Sequence, residues 1–307
     1  MARDFLKLKN KNVIIGYASA ISASALFGSV PTIAKPIVSN VNVLLLSALV
    51  YLIAALAFTP IAQRKTSFTR KDYGILITVA ICGATVAPLL YFLGLNQSTA
   101  SDTSLLSNAE IAFTVLLALI FFKERLKPVG FVAVGLVLFG VVIITTNLQV
   151  SSSLFQINSG HLLILGSTAL WALDNNLSRI ISTRIDSARL VQLKYAIGGA
   201  IMLGIVFAMR IPFQISETQI PYIILLSILG FGGSLYFFVQ SLKRIGTIRT
   251  IVIFSMSSVF GLGFAGLFLH ERISAFQIIA IVIMLTGIYL INRKESMKEK
   301  DPTSFGF

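Results

Sequence analysis

Charged residues are scarce in this chain. Asp, Glu, Lys and Arg make up 12% of its 307 residues, whereas 56% are hydrophobic. Soluble proteins carry about 25% charged residues, so this chain has too little polar surface to coat a water-soluble globule. Its mean hydropathy of +0.87 comes from long apolar runs, which are typical of membrane proteins with several helical spans.

Residues that bind metals or catalyse reactions are also few. Cys82 is the single cysteine, which excludes an intrachain disulfide and a cysteine-based metal motif. The two histidines, His161 and His270, lie far apart in the sequence, which argues against a two-histidine metal site. The chain has no P-loop, HExxH or GxSxG motif. We therefore expect no metal, no cofactor, no direct use of ATP and no enzymatic activity.

The apolar runs predict ten membrane-spanning helices, each long enough to cross about 30 Å of hydrocarbon at 1.5 Å per residue. The first run is too long for the apolar region of a secretory leader, so we expect it to be retained. The predicted spans are 13–35, 41–62, 73–95, 103–122, 128–146, 160–182, 187–209, 219–242, 247–269 and 274–292.

The basic residues predict the orientation of these spans. The net charge of +13 would suggest a nucleic-acid partner in a soluble protein, but here the basic residues lie between apolar runs. With the N-terminus inside, the outer segments hold three of the 25 basic residues, namely Lys35, Arg210 and Arg272. This asymmetry predicts a multi-pass protein of the cell membrane with both termini in the cytoplasm and no nucleic-acid partner.

One phrase occurs twice, as FFKERLKPVG at 121–130 and FLHERISAFQ at 268–277. Five predicted spans separate Glu124 from Glu271, so the two copies lie on opposite sides of the membrane. The predicted fold is therefore an all-α polytopic membrane protein with two inverted five-helix repeats, 1–150 and 151–307, the second with a cytoplasmic tail. We expect both glutamates to have a structural role at the turn into each fifth helix, through ion pairs with neighbouring groups; a gate is the alternative.

The chain resembles the drug/metabolite transporter superfamily and, within it, the ten-helix EamA-type carriers. The resemblance rests on the two five-helix halves, on LIFFKERLKP and LFLHERIS, on ALWALDNNLSR, and on the matched glycines Gly140 and Gly287. It implies that helices one to four of each half surround a central cavity and that each fifth helix is peripheral. It also implies transport of small organic metabolites, often export, by alternating access.

Two acidic residues lie well inside predicted spans, where ionisable groups are costly and usually functional. Glu110 shares one helix face with Thr103, Ser107 and Thr114 by 4-3-4 spacing. We predict that Ser107 and Glu110 line a substrate cavity. The alternative is that Glu110 is a protonated or paired packing residue.

Asp174 is the second of these acidic residues. It shares a face of the sixth span with Ser167, Trp171 and Ser178, and Asn175 flanks that face. An indole, a carboxylate and an amide together predict a small-molecule surface that includes Trp171, Asp174 and Asn175. The alternative is a polar patch that joins helices.

Other polar and aromatic residues give weaker signals. Phe27, Tyr91 and Tyr236 occupy repeat-matched positions with Trp171 and are predicted to contact substrate. Lys194 lies at a depth similar to that of Asp174, so the two could pair, but we favour a lysine that snorkels to the interface. Lys35 is expected to be an interfacial anchor.

These features predict a secondary transporter of small amphipathic metabolites such as amino acids, and the family resemblance implies export. Transport could be coupled to exchange or to protons, with Asp174 or Glu110 as the proton carrier. A facilitative, channel-like permease is the alternative, although a channel needs a continuous polar pore. The expected partners are a small-molecule substrate and the lipid bilayer, and the chain is expected to be a monomer or a homodimer.

Overall fold

The structure is a computed structural model that describes residues 2–62, 69–121, 128–146, 158–182, 184–245 and 247–292. Within these ranges the regular secondary structure is entirely helical, and no strand is present. The helices follow the order of the ten predicted spans. The predicted all-α polytopic architecture is therefore confirmed.

The first five spans consist of seven α-helices and one π-helical segment. The third span is α3, the π segment and α4, and the fourth span is α5 followed by α6. The elements are α1 (Ala2–Val38), α2 (Val43–Phe58), α3 (Arg70–Ile81), π (Cys82–Val86), α4 (Ala87–Asn96), α5 (Ala100–Leu106), α6 (Ala109–Phe121) and α7 (Pro128–Thr146).

The last five spans are built in the same way. The eighth span begins with a 3₁₀ turn, Glu217–Gln219, and contains a second π segment, whereas the ninth is again two helices. The elements are α8 (Ser159–Ser182), α9 (Ser187–Ala208), α10 (Ile220–Leu225), π (Leu226–Gly233), α11 (Ser234–Ile245), α12 (Thr247–Phe254), α13 (Ser257–Phe268) and α14 (Ala275–Asn292).

Four of the described helical runs are long and apolar enough to cross a membrane by length and composition. Shorter apolar helices lie in four further predicted spans, at Val43–Phe58, Pro128–Ile143, Ser257–Phe268 and Ala275–Leu290. We call the side on which α1 begins the basic side, and the other the opposite side. The four long runs are Asn12–Val38, Arg70–Asn96, Ser187–Ala208 and Glu217–Ile245.

The irregularities occur at matching places in the two repeats. The third and eighth spans each contain a π segment, and the fourth and ninth are each broken near their middle, at Ser107–Asn108 and Ser255–Met256. The sequence analysis did not predict these irregularities within the ten spans. Irregular backbone at membrane depth is tolerated where it is buried in protein or lines a cavity, so these breaks indicate the functional centre.

The fifth helix of each repeat, α7 and α14, packs against the other. A Cβ atom added at Gly140 of α7 would lie 2.4 Å from the Met284 Cγ and 3.2 Å from the Ala280 carbonyl oxygen of α14. Glycine therefore allows these two helices to approach closely. The remaining spans pack around the centre, α2 against α9, α1 against α11 and α13, and α4 against α8.

We predict that Gly140→Ala lowers the free energy of unfolding by about 1–3 kcal/mol, because the added methyl group overpacks the contact with Met284. Gly135 is a matched control on the same helix, since nothing lies within 4 Å of a Cβ atom there. Gly135→Ala should stabilise the helix by about 0.5–1 kcal/mol. Thermal unfolding of the detergent-solubilised protein measures both, and equal melting temperatures would contradict this packing.

Candidate functional site

A cavity lies at the centre of the bundle, with an empty volume of about 450 Å³ that includes its open part. Eight spans contribute to its wall, from both repeats. Five residues that the sequence singled out line it together, namely Phe27, Glu110, Trp171, Asp174 and Asn175. The cavity is therefore formed where the sequence analysis placed the substrate surface.

A buried ion pair lies in the cavity wall. The Lys194 ammonium donates a short hydrogen bond to Asp174 Oδ2, and both side chains are 3–4% exposed. Ser178 Oγ donates to Asp174 Oδ1 at 3.0 Å. The expectation that Lys194 snorkels was wrong. A buried ammonium so far from the interface is stabilised more by a neighbouring carboxylate than by its own reach toward water.

The second carboxylate of the cavity has a different partner. Asn175 Nδ2 donates to Glu110 Oε1 at 2.5 Å, and Glu110 is 8% exposed. One residue further along α8, Asn176 Nδ2 donates to the Thr114 carbonyl oxygen at 3.1 Å. These amides join the sixth span to the fourth. Glu110 therefore has a neutral partner, whereas Asp174 has a charged one.

Aromatic rings form the rest of the wall around Trp171. The Trp171 ring lies 5.7 Å from Phe27, 5.1 Å from Tyr91 and 6.4 Å from Phe231, measured between ring centroids. The indole Nε1–H donates to the Gly83 carbonyl oxygen at 3.0 Å. The rings and the buried hydrogen bond fix the orientation of the indole at the cavity surface.

Gly83 allows the third span to approach the ion pair. It lies in the π segment Cys82–Val86, and a Cβ atom added there would be 2.3 Å from Asp174 Oδ2. Any side chain at this position would displace the carboxylate. Sequence analysis did not single out Gly83, because a glycine in an apolar run gives no sign of what approaches it.

Further cavity residues were also missed by sequence analysis. Tyr51, Tyr195 and Phe231 line the wall, and the Tyr51 ring lies 4.5 Å from Tyr195 and 5.2 Å from Phe231 between centroids. These three residues could have been predicted from the sequence, because they lie inside apolar runs and away from the interfaces where aromatic belts form.

Three predicted residues lie outside the wall of the main cavity. Tyr91 and Ser107 line a narrow crevice together with Phe27 and Ser104, in segments nearer to the opposite side. Tyr91 is completely buried, and its hydroxyl makes no hydrogen bond to any other part of the chain that the structure describes. Tyr236 instead packs against Phe58, with 5.6 Å between the ring centroids.

The family model that matches this chain is that of the EamA-like transporter family, and it matches residues 14–146 and 158–293. The chain belongs to the EamA-like transporter family. The two matched stretches cover the ten helical spans, and the family is one of membrane transporters. The resemblance noted from the sequence is confirmed.

Similar proteins support membership of this family. An uncharacterized transporter of Methanothermobacter thermautotrophicus is 29% identical over 293 residues, which are 90% of this chain and 85% of the relative. A probable amino-acid metabolite efflux pump of Escherichia coli K12 is 27% identical over 203 residues, or 61% of this chain and 65% of the relative. A solved crystal structure shares the fold, with a TM-score of 0.67, 17% identity, and 92% of this chain and 96% of the other covered.

We predict that Asp174→Asn lowers the free energy of unfolding of this EamA-like transporter by about 3 kcal/mol, because it leaves the Lys194 ammonium buried without a counter-ion. Asp174→Asn combined with Lys194→Met should recover most of that loss, since no unpaired charge remains. Melting temperatures in detergent measure the effect. Glu217→Gln, at an exposed carboxylate, is the matched control. Equal losses in the single and double variants would contradict a stabilising pair.

Proposed function

We propose that this EamA-like transporter is a secondary carrier that exports small zwitterionic metabolites, with amino acids as the leading class, by alternating access. The observation that best supports this proposed function is the set of charged groups in the central cavity. Lys194, Asp174 and Glu110 place one ammonium and two carboxyl groups in the wall, beside an aromatic surface. Such a wall complements a molecule that carries both signs of charge and an apolar part.

The cavity chemistry suggests how such a substrate is held. Its ammonium group interacts with Glu110 or Asp174, its carboxylate interacts with Lys194, and its apolar part packs on Trp171. A phosphorylated substrate would require several buried Arg or Lys residues. Among the described residues that line the cavity, Lys194 is the only Arg or Lys. The name of the Escherichia coli relative, a probable amino-acid metabolite efflux pump, agrees with this class of substrate.

The proposed orientation and the reach of the cavity support export as the direction of transport. The distribution of basic residues favours a cell-membrane protein with both termini in the cytoplasm, so the basic side is cytoplasmic. Leu235, Phe238 and Phe254 extend the cavity wall toward that side. A cavity that reaches the cytoplasmic half suits loading for export. The segments 1–150 and 151–307 are the two repeats that rearrange around it, in a monomer or in each subunit of a homodimer.

The function is tested by transport of radiolabelled amino acids into proteoliposomes. We expect saturable uptake, with Trp171→Ala raising KM about tenfold because the substrate loses its aromatic contact. Tyr236→Ala is the matched control, since Tyr236 packs away from the cavity, and its KM should stay unchanged. Unchanged KM in a normally expressed Trp171→Ala protein would remove Trp171 from the binding surface, and flux that does not saturate would favour a channel-like permease.

Proton coupling is tested by variants of the two buried carboxyl residues. A carrier carboxyl must bind and release a proton during each cycle, so Glu110→Gln or Asp174→Asn should abolish transport driven by a pH gradient and leave exchange of substrate for substrate largely intact. Asp174→Asn is also made with Lys194→Met, so that an unpaired ammonium does not confuse the result. If both sites can be changed with the pH dependence retained, the carrier is an exchanger or a facilitator instead.

A further inference from the structure

The turn that joins the third and fourth spans on the opposite side, residues 97–102, is held by several other segments of the chain. Ser159 Oγ donates to Gln97 Oε1 at 2.6 Å. The Lys35 ammonium donates to the Leu95 carbonyl oxygen at 2.9 Å and also to the Ser98 carbonyl oxygen. We call residues 97–102 the opposite-side turn; its last three residues are also the first three of α5. The first and sixth spans both hold it.

Glu271 makes the most hydrogen bonds to this turn. Its carboxylate accepts from the backbone N–H of Ala100 and of Ser101, each at 2.9 Å, and from Ser101 Oγ at 2.5 Å. These groups lie at the start of α5, where backbone N–H groups have no partner within the helix. Glu271 comes from the second repeat and α5 from the first. The contact therefore joins the two halves of the transporter.

The charges of the cluster suit the helix ends that they contact. Lys35 lies at the end of α4, where the helix dipole is negative, and Glu271 lies at the start of α5, where it is positive. On the same turn, Asp102 Oδ1 accepts from Gln277 Nε2 at 2.8 Å, and His161 Nε2 lies 3.6 Å from Asp102 Oδ2. The first, sixth and tenth spans are thus connected through α5 and its turn.

The chain before Glu271 has an uncommon conformation. His270 has a φ of 54°, in the left-handed region that costs residues other than glycine roughly 1 kcal/mol. The Glu271 N–H donates to the Ala265 carbonyl oxygen at 3.3 Å and closes the turn after α13. Strained residues of this kind cluster at switch regions. The turn directs the Glu271 carboxylate toward α5.

The fourth span can bend just below α5. α5 ends at Leu106 and α6 begins at Ala109, so Ser107 and Asn108 separate two rigid helices. Asn108 Nδ2 donates to Ser258 Oγ at 2.8 Å, beside the break in the ninth span. The crevice lined by Tyr91, Ser104 and Ser107 lies between this break and the turn. α5 therefore covers the way from the cavity to the opposite side.

We propose that α5 is the gate of the opposite side, that Ser107–Asn108 is its hinge, and that Glu271 is the latch that holds it closed. The proposal rests on the alternating-access function proposed above. It revises the expectation that Glu271 fixes the turn into the last helix by an ion pair, because its partners are two backbone N–H groups and one hydroxyl group of another span. Glu124, the matching residue of the first copy, lies outside the described residues.

Thiol labelling tests the latch without a known substrate. In a Cys82→Ser background, Thr103→Cys places a single thiol on α5 at a fully buried position. A membrane-impermeant maleimide is added from the opposite side. Glu271→Gln should speed labelling about tenfold, because loss of a charged helix cap shifts α5 toward the open state by roughly that factor. Ser101→Ala removes one donor and should speed labelling less.

Glu217→Gln is the matched control, since it removes the same charge from the same side at an exposed residue. Labelling of Glu271→Gln at the parental rate would overturn the latch, as would equal acceleration by Glu217→Gln. If Glu271→Gln does not fold, Ser101→Ala decides by the same criterion. A negative result in the amino-acid transport assay with a positive labelling result would reject the proposed substrate and retain the gate.

Discussion

The rest of the structure depends on one constraint, that a charge buried within a membrane protein must have a partner. Asp174 and Lys194 are each other's charged partner, and their pairing sets the arrangement of three spans. The third span contributes Gly83 because any larger residue would displace the Asp174 carboxylate. The sixth contributes Asp174 itself and Ser178, and the seventh contributes Lys194. The aromatic wall is then fixed by the hydrogen bond from Trp171 to Gly83.

The same constraint applies to backbone groups, since each unpaired N–H or C=O in the bilayer costs several kcal/mol. At the breaks in the fourth and ninth spans, the N–H groups of Ser107, Asn108, Ser255 and Met256 still donate to backbone carbonyl oxygens of the preceding turn. On the opposite side, the Lys35 side chain pairs with a backbone carbonyl oxygen at the end of α4, and the Glu271 side chain pairs with a backbone N–H group at the start of α5. Local backbone hydrogen bonds therefore satisfy the broken spans, and side chains from neighbouring spans satisfy the helix ends on the opposite side.

The sequence was sufficient to predict the number of spans, their helical class and five residues that the structure brings into one cavity. Helical spacing and distance from the end of a span show on which face of its helix a residue lies and how deep in the membrane it lies. Trp171 and Asp174 could therefore be predicted as cavity residues. They do not show which spans are neighbours. The pairing of Lys194, the approach of Gly83 and the contact of Glu271 with α5 all depend on neighbours. The broken spans were missed because the polar residues at the breaks, Ser107, Asn108 and Ser255, are types that also join continuous membrane helices to their neighbours.

The cavity and the latch are connected by a single span. Glu110 lies in the first turn of α6, two residues after the hinge at Asn108, and α5 on the other side of that hinge is held by Glu271. We propose that a substrate ammonium that displaces Asn175 from Glu110 moves α6, and that the hinge transmits this movement to α5. A substrate can shift the gate only by as much as its affinity differs between the two states. In this proposal substrate binding biases the gate through Glu110, because Glu110 adjoins the hinge, whereas Asp174 lies on the sixth span and is paired with Lys194.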